Sequence, residues 1–106
     1  ALTSVHVRKA SISDAGICAL TEKCWWLKVI EIKDCPCVTG LAVLNIAEKC
    51  TRLKEFTIMN VGALTRTAFM HLVTHSFSLR IINVHRDYKI YENIFSARPD
   101  IQFRYH

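Results

Sequence analysis

Short runs of alternating apolar and polar residues recur along the chain. Leu27-Lys28-Val29-Ile30-Glu31-Ile32, Leu53-Lys54-Glu55-Phe56-Thr57-Ile58 and Leu79-Arg80-Ile81-Ile82-Asn83-Val84 share one pattern, L-x-x-Φ-x-Φ with Φ apolar, and start 26 residues apart. Leu2-Thr3-Ser4-Val5-His6-Val7 is an earlier copy, 25 residues before Leu27. Ile101-Gln102-Phe103-Arg104-Tyr105 reads as a last copy, with Phe103 and Tyr105 in the two inward places. A period of two marks a strand with one buried face, so the pattern predicts five strands.

Between the strands the period lengthens. Ser13, Thr39 and Thr65 lie 26 apart, each behind an apolar Ile12, Val38 or Leu64. A hydroxyl suits a helix N-cap because it accepts from an otherwise orphan amide. Counting four, seven, eight and eleven residues onward gives Ile17, Leu20, Thr21 and Cys24, then Val43, Ile46, Ala47 and Cys50, then Phe69, Leu72, Val73 and Ser76. That spacing is one face of a helix. The last of these positions is small each time, at Cys24, Cys50, Ser76 and, in the final turn, Ala97. A tight helix-to-strand turn is expected there, with cysteine acting as a small buried hydrophobe. Each strand-helix unit can bury its apolar faces only against itself and its neighbours, the logic of a stacked repeat. The expected fold is α/β: a solenoid of about four to five repeats, with parallel strands on a concave face and helices on a convex one.

The stretch Asp14-Ala15-Gly16-Ile17-Cys18-Ala19-Leu20-Thr21-Glu22-Lys23-Cys24, followed by Leu27, Ile30, Ile32 and Cys35-Pro36, resembles the cysteine-containing leucine-rich repeats common in F-box proteins. The pattern returns from Thr39-Gly40-Leu41 through Ala47-Glu48-Lys49-Cys50 to Leu53, so the resemblance covers nearly the whole chain. It implies a leucine-rich-repeat solenoid over residues 1–106, a single domain. It also implies a role as the substrate-recognition repeats of an F-box-type subunit of a cullin-RING ubiquitin ligase, with the ubiquitin chemistry on other subunits. The F-box itself is not visible in these residues, so a ligase adaptor would be held only by a region outside them. The family's second cysteine is present as Cys35 but gives way to Val61 and Asp87 in the next two turns, and the segment from Tyr88 to Ala97 is short and poorly patterned. An irregular ending from Arg98 to Phe103 and a start without a cap lead to the expectation of the C-terminal part of a longer protein.

In a stack of this kind, residues between the inward apolar ones face outward on the sheet. One outward column is His6, Glu31, Thr57, Asn83 and Arg104; the next is Arg8, Lys33, Met59, His85 and His106. The second is mostly basic. It reads either as a groove for an acidic segment of a protein partner or as an ordinary solvated face. Trp25 and Trp26 lie between helix and strand, where they are either partner anchors or lids over the edge of the core.

Composition narrows the function classes. A chain of 106 residues that is 51% hydrophobic supports one modest core. The net charge of +5 is spread rather than blocked, so it favours acidic partners without specifying nucleic acid. Apolar runs fall short of the roughly 20 residues that span a bilayer, and Ala1 to Ala10 lacks the features of a signal peptide. Five cysteines without two separated CxxC pairs fit reduced thiols, hence a cytoplasmic or nuclear setting. Cys35-Pro36-Cys37 raises a redox or zinc reading but lacks a second ligand pair. His71 and His75, four apart on a helix, lack a visible third ligand, and no histidine is placed to activate a cysteine nucleophile. Neither GxGxxG, P-loop nor paired carboxylates occur, so the expectation is a non-enzymatic, cofactor-free interaction module. The rival is a structural leucine-rich-repeat subunit of a large cytoskeletal or organellar assembly.

Overall fold

The five alternating segments form five strands. A computed structural model describes residues 2–106: β1 (Ser4–Arg8), α1 (Asp14–Lys23), β2 (Val29–Cys35), α2 (Gly40–Lys49), β3 (Glu55–Val61), α3 (Arg66–His75), β4 (Ile81–Val84), a 3-10 helical segment (Arg86–Ala97) and β5 (Gln102–Tyr105). The fold is α/β. All strands are parallel and stand in chain order, so every neighbouring pair is joined through one helical crossover. The register pairs Ser4 with Val29, Val29 with Glu55, Glu55 with Ile81 and Ile81 with Gln102, offsets of 25, 26, 26 and 21 residues. α1 packs on α2, α2 on α3, and α3 on the 3-10 segment. The helices therefore make one layer over one face of the sheet.

The core lies between these layers. Ile30, Phe56 and Ile82 form one inward row and Ile32, Ile58 and Val84 the next, none more than 2% exposed. Ile17, Ile46, Ala47, Phe69 and Leu72 meet them from the helices. The outer rows of β1 and β5, Val5, Val7, Phe103 and Tyr105, are only partly buried because each has a single neighbouring strand.

The helix ends follow the repeating sequence with two corrections. Thr39 and Thr65 cap as expected, their hydroxyls accepting from the Leu41 and Ala68 amides. Ser13 occupies the same place but makes no side-chain cap. Its neighbour Asp14 accepts from the Thr39 amide at 2.7 Å and the Thr39 hydroxyl at 2.6 Å, tying the start of α1 to the start of α2. At the other end Cys24, Cys50 and Ser76 are C-caps, and each carbonyl accepts from the Leu27, Leu53 or Leu79 amide. In the last turn that position belongs to Arg98, not Ala97: Arg98 N–H donates to Phe95 O, Arg98 O accepts from Ile101, and Ala97 is exposed.

The poorly patterned segment is 3-10 rather than α. Residues three apart eclipse in that helix, so Tyr88, Tyr91 and Ile94 align and are the residues partly buried against the core, beside the buried Phe95. A search at a period of 3.6 dilutes such a signal.

Candidate functional site

The sheet face opposite the helices carries the polar columns in the expected register. His6, Glu31, Thr57, Asn83 and Arg104 stand across from one another, and Arg8, Lys33 and Met59 do the same one step along. Arg8, Glu31, Lys33, Glu55, Thr57, Met59, Asn83 and His106 line a depression of about 420 Å³.

The central column differs from the expectation of solvent-facing residues. Glu31, Thr57 and Asn83 are 9%, 8% and 8% exposed. Parallel strands under 5 Å apart bring the flanking side chains close enough to fold over them. Glu31 shows how. Its Oε2 lies 2.5 Å from His6 Nδ1, which must be the donor since a carboxylate only accepts. Its Oε1 takes Arg8 at 2.6 Å and Lys33 Nζ at 3.1 Å. The His6 hydrogen bond, with those from Lys33 and Arg8, outweighs desolvation and holds the carboxyl at a pKa of about 2. Farther along, Asn83 Nδ2 donates to Thr57 Oγ1 at 2.9 Å and faces Glu55 Oε2 at 3.4 Å, while Asn83 Oδ1 meets His106 Nε2 at 3.3 Å. Arg8 and Lys33 are thus not a free basic column: both share Glu31, and Glu55 adds a second carboxylate to the same depression.

His85 is the second correction. β4 ends at Val84, and His85 turns out of the column to start the 3-10 segment, where its Nδ1 accepts from the Asp87 amide at 3.1 Å. It lines a separate hollow with Met59, Asn60, Leu64 and Tyr88. His106 takes the open-face place beside Asn83.

The tryptophans lie at the helix-to-strand edge and divide their roles. Trp26 folds back, half-buried, and donates Nε1–H to Leu2 O at 2.5 Å. Trp25 packs edge-on against it at 5.8 Å, stays 47% exposed, and carries the Arg52 guanidinium 5.4 Å from its ring centre. A cation over an indole face is an attractive pair.

No protein-family model matches this chain, and no curated protein is found similar to it. The site therefore rests on its own geometry.

Two residues of that geometry went unread in the sequence. Phe77 follows the C-cap Ser76 as Trp25 follows Cys24, and it is 75% exposed. The shared offset could have found it. Glu55 belongs to a third outward column, opposite Val29 and Ile81, whose mostly apolar members hid the carboxylate.

The thiols divide by burial. Cys35 is fully buried and its thiol points to Lys33 O at 3.2 Å, whereas Cys37 is exposed. Burial pushes the Cys50 thiol up to about 11 and raises that of Cys18, so neither is a ready nucleophile. Among the described residues no three His, Cys, Asp or Glu side chains already converge on a metal position, and no helix is long and apolar enough to cross a membrane.

Proposed function

We propose that this chain is part of a leucine-rich-repeat solenoid of the cysteine-containing type, and that its open sheet face receives a segment of a protein partner. The observation that carries this reading is the sheet itself. Five parallel strands in chain order, at near-constant offsets, leave one face covered by helices and the other lined by polar side chains. Helix-covered parallel sheets are usually buried on both faces, so a face left open has a use. Cys35 supports the repeat type, since its buried thiol bonds backbone at the end of β2.

On that face the contact for an acidic group is the Arg8/Lys33 end. Glu31 uses one donor of each, and both remain partly exposed with donors to spare. The buried carboxylate holds two flexible cations in place, which lowers the ordering cost of binding. A partner with one acidic group there and a donor for Glu55 fits the mixed lining. Trp25, with Arg52, is a second contact at the edge. The resemblance adds the setting: recognition repeats of an F-box-type ligase subunit, in a reducing compartment, with nucleic acid and membrane not among the partners.

Affinity capture of the full-length parent protein from cells tests this, in the wild type and in Arg8→Glu/Lys33→Glu and Trp25→Ala variants. A cullin adaptor recovered with a partner that the Arg8/Lys33 variant loses supports the ligase-receptor reading. A fixed set of structural subunits, unchanged by the variants, points instead to a scaffold role in a permanent assembly.

A further inference from the structure

The sequence places His71 and His75 four residues apart on α3, and the structure supplies what that spacing lacked. Both rings are held in one tautomer. His71 Nδ1 lies 3.3 Å from Thr67 O and His75 Nδ1 lies 3.3 Å from His71 O. A carbonyl only accepts, so each Nδ1 carries the proton. Thr74 fixes His75 further: its hydroxyl donates to Met70 O at 3.0 Å and accepts from His75 Nδ1 at 2.8 Å. Both Nε2 lone pairs are left unused by the helix. The rings stack 5.0 Å apart and 14° from parallel, so the two lone pairs look out from one side of α3.

A third donor arrives from the neighbouring helix. Glu48, near the end of α2, places Oε1 3.7 Å from His71 Nε2. Two donors about 2.0–2.1 Å from one tetrahedral ion stand roughly 3.3–3.4 Å apart, so a few tenths of an ångström bring Glu48 and His71 to ligand spacing. All three side chains lie at the surface with room to make that adjustment. An Nδ1–H given to a backbone carbonyl is the support that metal-binding histidines commonly have, because it orients the ring and raises Nε2 basicity. His75 also closes α3, where the negative end of the helix dipole favours a cation.

We propose that His71, His75 and Glu48 form a surface site for a divalent transition-metal ion of the zinc or cobalt kind, bound through the two Nε2 atoms and one carboxylate oxygen. Water completes the coordination, so the site is an open one on the helix layer, remote from the polar sheet face. It is independent of the partner-binding reading and joins α2 to α3 when filled.

Titration of the whole chain, thiols kept reduced, with Co²⁺ alone tests it, because the visible spectrum separates imidazole and carboxylate ligands from thiolates. The expected result is saturable one-to-one binding without a thiolate charge-transfer band, abolished by His71→Ala and by His75→Ala with helical circular dichroism unchanged. Thr74→Val, which removes only the ring support, is expected to weaken binding ~10-fold. No saturation in the wild type overturns the proposal. So does binding that survives both histidine variants with a thiolate band, which assigns the ion to the cysteines.

Discussion

The middle turns and the last turn solve the same problem with different helices. From β2 to β4 each turn takes 26 residues and crosses over by a ten-residue α-helix, whereas the turn from β4 to β5 closes in 21 through twelve residues of 3-10 helix. A 3-10 helix rises about 2.0 Å per residue against about 1.5 Å for α, so fewer residues still span the crossover. The junctions, by contrast, are the same. Arg98 stands where Cys50 and Ser76 stand, its N–H accepted by the helix behind it and its carbonyl accepting from the strand ahead. Strand register and the helix-to-strand turn are thus fixed in every unit, and the crossover is free to vary.

That freedom has to be offset, because 3-10 hydrogen bonds are poorly aligned. The last turn relies on side chains instead. Phe69 of α3 meets Tyr88, Tyr91 and Phe95 with ring centres 5.6, 5.6 and 6.2 Å away, and Phe95 packs on Phe103 of β5 at 4.0 Å. Phe69→Ala is the strongest way to break the arrangement. Phe69 is 2% exposed, and its truncation is expected to cost ~3–5 kcal/mol in urea unfolding, with the last turn melting first.

Arg98→Ala attacks the same turn more locally. The guanidinium donates to Val73 O at 2.8 Å and Ser76 O at 3.2 Å, carbonyls at the end of α3 that have no helical partner, and holds Asp100, which also takes Arg80. Leaving those groups unpaired costs roughly 1–3 kcal/mol. Hydrogen exchange is expected to quicken at the Gln102 and His106 amides, which bond to Arg80 O and Val84 O, and to hold steady in β2 and β3. Equal loss across all strands would mean the turn is not a separate unit.

How much of this was legible differs between the same two regions. The middle strands, their partners and the Thr39 and Thr65 caps could be read because a 26-residue offset lines up identical chemistry. The last crossover could not, since a period of three does not show on a 3.6-residue template, and Arg98 is large where the other C-caps are small. On the open face the columns were legible but their burial was not. Nothing in the spacing of Arg8, Glu31 and Lys33 says that two cations and His6 converge on one carboxylate. The third histidine of the site, His85, was misplaced for a related reason: β4 ends after four residues, earlier than β2 and β3.

Acid sharpens the comparison from the opposite end of the sheet. Glu31 ties β2 to β1 through His6 and Arg8, and its folded pKa of about 2 lies below the ordinary 4.5. A lowered carboxylate pKa stabilises the fold fully above the ordinary value and loses that contribution as pH falls toward the folded one. Stability is expected to decline between about pH 4.5 and 2, with β1 and β2 amides exposed before those of β4. Glu31→Gln is expected to flatten Tm over that window and to lower it at neutral pH, where Arg8 and Lys33 lose their anion. A Tm slope unchanged by Glu31→Gln would assign the acid sensitivity to other carboxylates.

The smallest expected effect is a gain, and it comes from the junction the turns share. The C-cap column is Cys24, Cys50 and Ser76, and the Ser76 hydroxyl is buried without a hydrogen-bond partner. A thiol in that place loses little by being unpaired, since sulfur is a weak donor and acceptor. A hydroxyl loses a desolvation penalty of about 1–3 kcal/mol. Ser76→Cys adopts the residue used one turn earlier and is expected to raise stability by ~1 kcal/mol, measured as a higher urea midpoint at unchanged slope. Ser76→Ala separates the two contributions: it removes the unpaired hydroxyl but leaves a gap where Cys50 has sulfur. A gain from cysteine that exceeds the gain from alanine would show that the column selects for small and apolar together. Equal gains would reduce the preference to the absence of a stranded hydroxyl.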